Sequence, residues 1–180
     1  MLHFGHNLRP GTLRIAGALF LVAWLAAAAM ASPRGVTIAA GGGWAAIDRG
    51  DSCVALSRSL RIAPKGKVQA TAGFAFSPDR RRWGEFHARL SHIPRAGSSV
   101  MLIVANRPFL LVIRDGWAWS RGPAQEQAII AAARSGGAMR VEGRDIAGRR
   151  FADLYTLEGA PTAIDAAAAR CSVRGAGKNN

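Results

Sequence analysis

Three patterns of apolar and polar residues succeed one another along this chain. The first is continuous. Arg9 and Arg14 lead into an unbroken apolar run, Ile15–Ala31, which closes on Ala29-Met30-Ala31 before Ser32-Pro33. A positive start, a hydrophobic centre and a small-x-small end form the pattern of a bacterial secretory signal peptide, here cut after Ala31. The run falls short of the ~20 residues a membrane-crossing helix needs. An uncleaved anchor is the competing reading, and both readings put residues 32–180 outside the cytoplasm, in the periplasm or beyond it.

The second pattern is alternation. Residues 32–43, with Pro33, Gly35 and Gly41-Gly42-Gly43, keep no period and read as a linker. Trp44–Asp48 and Cys53–Leu60 read as strands joined by a turn at Arg49-Gly50-Asp51. From Trp83 to Ser91, Phe86, Ala88 and Leu90 take one face and Glu85, His87, Arg89 and Ser91 the other, the period of a half-buried antiparallel strand. Thr71–Phe76 is its expected hairpin partner through Ser77-Pro78-Asp79-Arg80. Val100–Val104 and Phe109–Ile113 are strand-length runs. Asp115-Gly116 suits a two-residue type I′ turn, which pairs Phe109–Arg114 with Trp117–Ser120 and sets Trp119 opposite Val112 and Trp117 opposite Arg114.

The third pattern is helical and arrives late. Pro123 is placed to open a helix that Gly136-Gly137 stops. Two more strands, Ala138–Arg144 and Arg149–Leu157, follow around Ala147-Gly148. Pro161 opens a final helix in which Ile164, Ala167, Ala168 and Cys171 share one face. Residues 172–180 read as a frayed tail. These elements predict a mainly β α+β domain over residues 44–171: an antiparallel sheet, sandwich or partly closed barrel, with two helices packed on it.

Charge narrows the partners. Without residues 1–31 the chain keeps 22 basic and 11 acidic side chains, a balance of +11. Such a charge favours polyanions. Export excludes nucleic acid and leaves anionic envelope components (lipopolysaccharide, lipid headgroups, acidic glycans) or another protein. Membrane contact is expected only through residues 1–31, if they are retained. The two cysteines, Cys53 and Cys171, read most simply as a disulfide in an oxidising compartment, against the alternative of two buried thiols.

Candidate chemistry is sparse. Arg80-Arg81-Arg82 forms a candidate anion contact, or else solvated charge on a loop. Trp117 and Trp119 share a face. They either pack on cross-strand apolar neighbours, the commoner outcome for such a pair, or present an aromatic surface to a ligand. His87, on the polar side of its strand, reads as a surface histidine. No G-x-S-x-G, H-E-x-x-H or P-loop is present, so no catalytic residue and no cofactor is assigned. Two cysteines and His87 and His92 lack metal-ligand spacing, so no metal is assigned.

From about Pro108 to Cys171 the chain resembles the invasion-associated locus B family of exported alphaproteobacterial proteins. The resemblance is carried by Leu111–Trp117, the helix at Ala128–Arg134 and Met139–Glu142. It continues through Asp153-Leu154-Tyr155-Thr156-Leu157-Glu158-Gly159, similar to the family's Tyr-Ser-Leu-x-Gly stretch, into Ala163–Cys171. Trp44 and Cys53 resemble its opening strand. The family's larger cysteine set is reduced here to two, and Asp48 stands where a cysteine usually follows the opening tryptophan. The resemblance implies an exported, non-enzymatic β-rich module for envelope or host-cell interaction. The alternative expectation is a small periplasmic enzyme or enzyme inhibitor whose site assembles only in three dimensions.

Overall fold

The computed structural model describes residues 35–177. The expected signal peptide and its expected cleavage point lie outside the described residues. The described chain forms β1 (Val36–Gly41), β2 (Trp44–Asp48), β3 (Cys53–Arg58), β4 (Thr71–Phe76), β5 (Trp83–Arg89), β6 (Met101–Val104), β7 (Arg107–Leu110), β8 (Val112–Arg114) and β9 (Trp117–Trp119). Helix α1 (Pro123–Ser135), β10 (Ala138–Arg144), β11 (Arg150–Thr156) and α2 (Ala160–Ala176) complete it. The strands form two antiparallel sheets, one of seven strands in the order β1-β2-β3-β4-β5-β9-β8 and one of four in the order β11-β10-β6-β7. Neither closes into a barrel.

The linker expected over residues 32–43 is corrected by β1. Val36, Thr37 and Ile38 bring β-branched side chains, and β1 pairs with β2 from Val36–Asp48 to Gly41–Trp44. The glycines that read as flexibility are the hairpin turn itself. Gly42 and Gly43 stand at φ 57° and 86°, the double positive φ of a type I′ connection. Gly42 also lies so close to the Glu158–Gly159 backbone that a Cβ there would meet Glu158 at 2.4 Å.

Phe109–Arg114 is not one strand. The chain passes from the small sheet (β7) to the large one (β8) at buried Leu111, whose N–H bonds Val100 O at 3.0 Å. The apolar run of five residues, Phe109–Ile113, cannot reveal a change of sheet, because both halves bury a face. The turn residues that decide this region are Ala105-Asn106, at φ 46° and 63°, and Asp115-Gly116, at φ 51° and 76°. The second turn sets the expected register, Val112–Trp119 and Arg114–Trp117.

The core lies between the large sheet's inner face, the small sheet and both helices. Trp44, Phe74 and Phe86 form a chain of rings at 6.0 and 5.5 Å. Leu102, Val104, Met139, Val141 and Tyr155 meet it from the small sheet, and Ile129 and Ile164 from the helices. Facing alanines (Ala46, Ala55, Ala72, Ala88, Ala118) keep the large sheet's inner surface low enough for α2 to lie on it. Helix α2 buries Ala160, Ala163, Ile164, Ala167 and Cys171. Cys171 is disulfide-bonded to Cys53 with a Cα–Cα distance of 5.8 Å.

The frayed tail expected from residue 172 is also corrected, since α2 continues to Ala176. Its last turns are tied down by charge. Buried Asp48 accepts Arg170 Nε at 2.7 Å, Arg174 Nη1 at 2.5 Å and the Gly50 N–H at 2.9 Å. These bonds, the Gly50 N–H foremost and then Arg170, hold the Asp48 carboxyl below its usual pKa. The Asp48 carboxylate thus anchors the same helix that the disulfide holds.

Candidate functional site

Antiparallel partners project to the same side of a sheet, so the ladder spells out what the large sheet's outer face presents. One row runs Arg114–Trp117–Arg89–Thr71–Arg58 across β8, β9, β5, β4 and β3. The next runs Val112–Trp119–His87–Gly73–Leu56 over the same strands. At ~4.8 Å between strands, the arginine row extends ~19 Å.

Both tryptophans therefore lie on the outer face, and β9 contributes only Ala118 to the core. The commoner outcome, an indole pair in the core, is corrected here: Trp119 keeps Val112 as its cross-strand neighbour, but neither indole joins the core. In the alternation of β9 the inward position falls to Ala118, so both indoles take the opposite face. Trp117 and Trp119 stack on each other instead, with ring centroids 6.2 Å apart at 26°. His87 lies 6.2 Å from Trp117, and the Arg89 guanidinium 5.8 Å from the same ring. The result is a half-exposed aromatic platform with cations along one side.

His87 is more than a surface histidine. Gly73 on the neighbouring strand leaves it room, because a Cβ there would meet the imidazole at 3.2 Å. Burial against these neighbours pushes its pKa down to about 4, and the charges of Arg49 and Arg82 push the same way. At neutral pH it is an uncharged ring that extends the platform. Arg58, Arg89 and Arg114 are exposed and have no carboxylate partner among the described residues.

The Arg80-Arg81-Arg82 cluster is not held together. Arg80, itself at φ 58°, lays its guanidinium 4.6 Å from the Trp83 ring. Arg81 is 3.5 Å from Asp79. Arg82 projects its charge towards Glu85 and His87, countering the burial that raises the Glu85 pKa. Arg80 and Arg81 border a groove of about 500 Å³ between the β4–β5 loop and the two helices, floored by Phe76, Trp83, Ile130 and Ile164. Glu126 and an Arg134–Asp165 ion pair also line it, but no histidine, serine or cysteine does.

One constellation has the composition of a hydrolase site but not its geometry. Ser91 Oγ and His92 Nδ1 are 2.8 Å apart, and Asp153 lies nearby. The carboxylate accepts the Ser91 backbone N–H at 3.0 Å rather than an imidazole N–H. His92 stacks on Phe151. The imidazole lacks the orienting carboxylate that an acyl-transfer base requires, so this is a turn. Among the described residues, no three His, Cys, Asp or Glu side chains converge as metal ligands, and no helix is long and apolar enough to cross a membrane.

Comparisons with models of known protein families, with curated proteins and with solved structures find no match to this chain. The arginine row and the opposition of Trp119 and His87 escaped sequence reasoning because they depend on the β5–β9 pairing, which no local pattern specifies. The alternation of Trp83–Ser91 and the Asp-Gly turn were the available signals, and they gave the faces without the neighbour.

Proposed function

We propose that this chain is an exported, non-catalytic interaction module of the invasion-associated locus B type. It engages an acidic, sugar-rich component of the cell envelope through the outer face of its large sheet. The single observation that carries this reading is the row Arg114–Trp117–Arg89–Thr71–Arg58 beside the Trp117–Trp119 stack. Indole faces accept the apolar faces of sugar rings, and unpaired guanidiniums in line with them accept carboxylate, sulfate or phosphate groups. A flat platform with its cations on one edge suits an extended acidic glycan better than a small metabolite, which calls for a closed pocket.

The +11 balance of residues 32–180 supports the same reading by drawing polyanions to the surface. The disulfide supports an extracytoplasmic location, and the opening signal pattern supports the periplasm as the place of action. The enzyme alternative finds no histidine, serine or cysteine in the 500 Å³ groove, and of its two carboxylates Asp165 is paired with Arg134 and Glu126 accepts the Ser120 hydroxyl.

Titration with purified lipopolysaccharide or an acidic oligosaccharide, read by tryptophan fluorescence, tests the proposal. Binding should weaken steeply between low and physiological salt, because exposed charges are screened over ~8–10 Å. The W117A/W119A variant should lose about tenfold or more in affinity while keeping its fold, the worth of stacking contacts of this kind. Salt-independent binding, or full affinity in W117A/W119A, contradicts the proposal.

A further inference from the structure

The small sheet carries a second cationic feature with different chemistry. Arg144 of β10 and Arg150 of β11 stand directly opposite each other at the end of their ladder. Like charges in that position destabilise a sheet. Neither has a carboxylate partner among the described residues; Arg144 Nη1 donates only to Gly148 O, at 2.9 Å. Arg61 joins them from the segment running along β11, where Leu60 N–H bonds Leu154 O at 2.8 Å. The three guanidiniums and the hydroxyl-bearing Ser98 and Ser99 border one groove of about 660 Å³. Glu142, the single acid in that groove, is already engaged by Arg140 at 2.8 Å. The groove is concave, and its cations exceed its free anions by three.

We propose that this groove is a binding site for a phosphoryl group, with Arg144 and Arg150 closing on one phosphate dianion and Arg61 on its far side. A dianion is the ligand that converts the opposed pair from repulsion to attraction. Guanidinium forks from two strands can each donate two parallel bonds to a tetrahedral oxyanion. The cross-strand repulsion is then the cost of keeping the site ready, in the way binding sites commonly trade stability for function. The site is separate from the Trp117–Trp119 platform and stands whether or not that platform binds a glycan.

Thermal unfolding of the disulfide-bonded protein at constant ionic strength tests it. Inorganic phosphate should raise Tm by about 3 °C at tenfold excess over a millimolar Kd, where chloride does not. Arg150→Gln should do two things at once. It should raise Tm by about 1–3 °C without phosphate, by relieving the like-charge pair, and it should abolish the phosphate response. Arg121→Gln, which removes an exposed cation outside this groove, and W117A/W119A should keep the response. Protection by glycerol phosphate identifies a free ester as the ligand, and co-sedimentation with vesicles containing phosphatidic acid identifies a lipid headgroup. Either supports the groove when Arg150→Gln loses it. A phosphate response that survives in Arg150→Gln, or that chloride reproduces, overturns the proposal. So does an Arg150→Gln protein less stable than the parent without phosphate.

Discussion

Helix α2 is held by two devices of different kinds, and removing them in turn should separate their roles. The Cys53–Cys171 bond spans 118 residues of sequence. In the chain-entropy model a loop of that length is worth about 4.8 kcal/mol, and measured values commonly run at 2–4. Both sulfur positions are fully buried, so Cys53→Ala with Cys171→Ala also loses a little packing. We expect a total loss of about 3–4 kcal/mol in urea unfolding at 25 °C. The helix should nonetheless stay formed, because Ala163, Ile164 and Ala167 remain buried and Asp48 still holds Arg170 and Arg174. Adding Asp48→Asn removes that second tether. Both arginines are partly exposed, so the further global loss should be modest, about 1 kcal/mol. The local effect should be larger. Amides of residues 166–176 should then exchange through local opening rather than global unfolding. A global loss below ~1 kcal/mol on removing the disulfide would refute this reasoning, as would unchanged α2 protection in the triple variant.

Two other perturbations follow from buried polar groups. The His87 pKa is lowered from 6.5 to about 4, so between these values the unfolded chain binds the proton and the folded one does not. Stability is then fully present above pH ~6.5 and falls as pH drops towards 4. Between pH 7.5 and 5 the loss should be about 1–2 kcal/mol by urea midpoint, and His87→Asn should flatten that slope; an unchanged slope would remove the account of the platform's neutral ring. The Tyr155 hydroxyl is buried without a hydrogen-bond partner, and burial raises its pKa. Tyr155→Phe should therefore leave stability unchanged or raise it by up to ~1 kcal/mol; a loss of that size by calorimetry would reveal a partner for the phenol.

What the sequence disclosed divides along physical lines. Hairpins governed by local turn chemistry were readable: Asp115-Gly116 set the β8–β9 register, and the alternation of β5 assigned its two faces correctly. The helix limits were readable from Pro123 and Gly136, since proline at a first turn and glycine past a last one act locally. The Cys53–Cys171 pairing followed from there being only two cysteines. The failures share a cause. Gly42-Gly43 signals a linker or a type I′ turn by the same two residues, and only β1's pairing partner decides. The passage from β7 to β8 at Leu111, and the placing of β9 beside β5, depend on contacts far apart in sequence. The last turns of α2 read as tail because Arg170 and Arg174 find Asp48 only in the folded chain. The candidate site suffered most, because a row across five strands has no signature within any one of them.

The most direct test of the central claim is to map the contact surface by NMR. In a titration of isotope-labelled protein with an acidic oligosaccharide, the indole Nε1–H signals of Trp117 and Trp119 should move first. The amides of His87, Arg89 and Arg114 should move with them, while the indoles of Trp44 and Trp83 stay still. Saturable shifts confined to the Trp83 groove, or an unperturbed Trp117–Trp119 pair at saturation, would contradict the assignment of the large sheet's outer face as the binding surface.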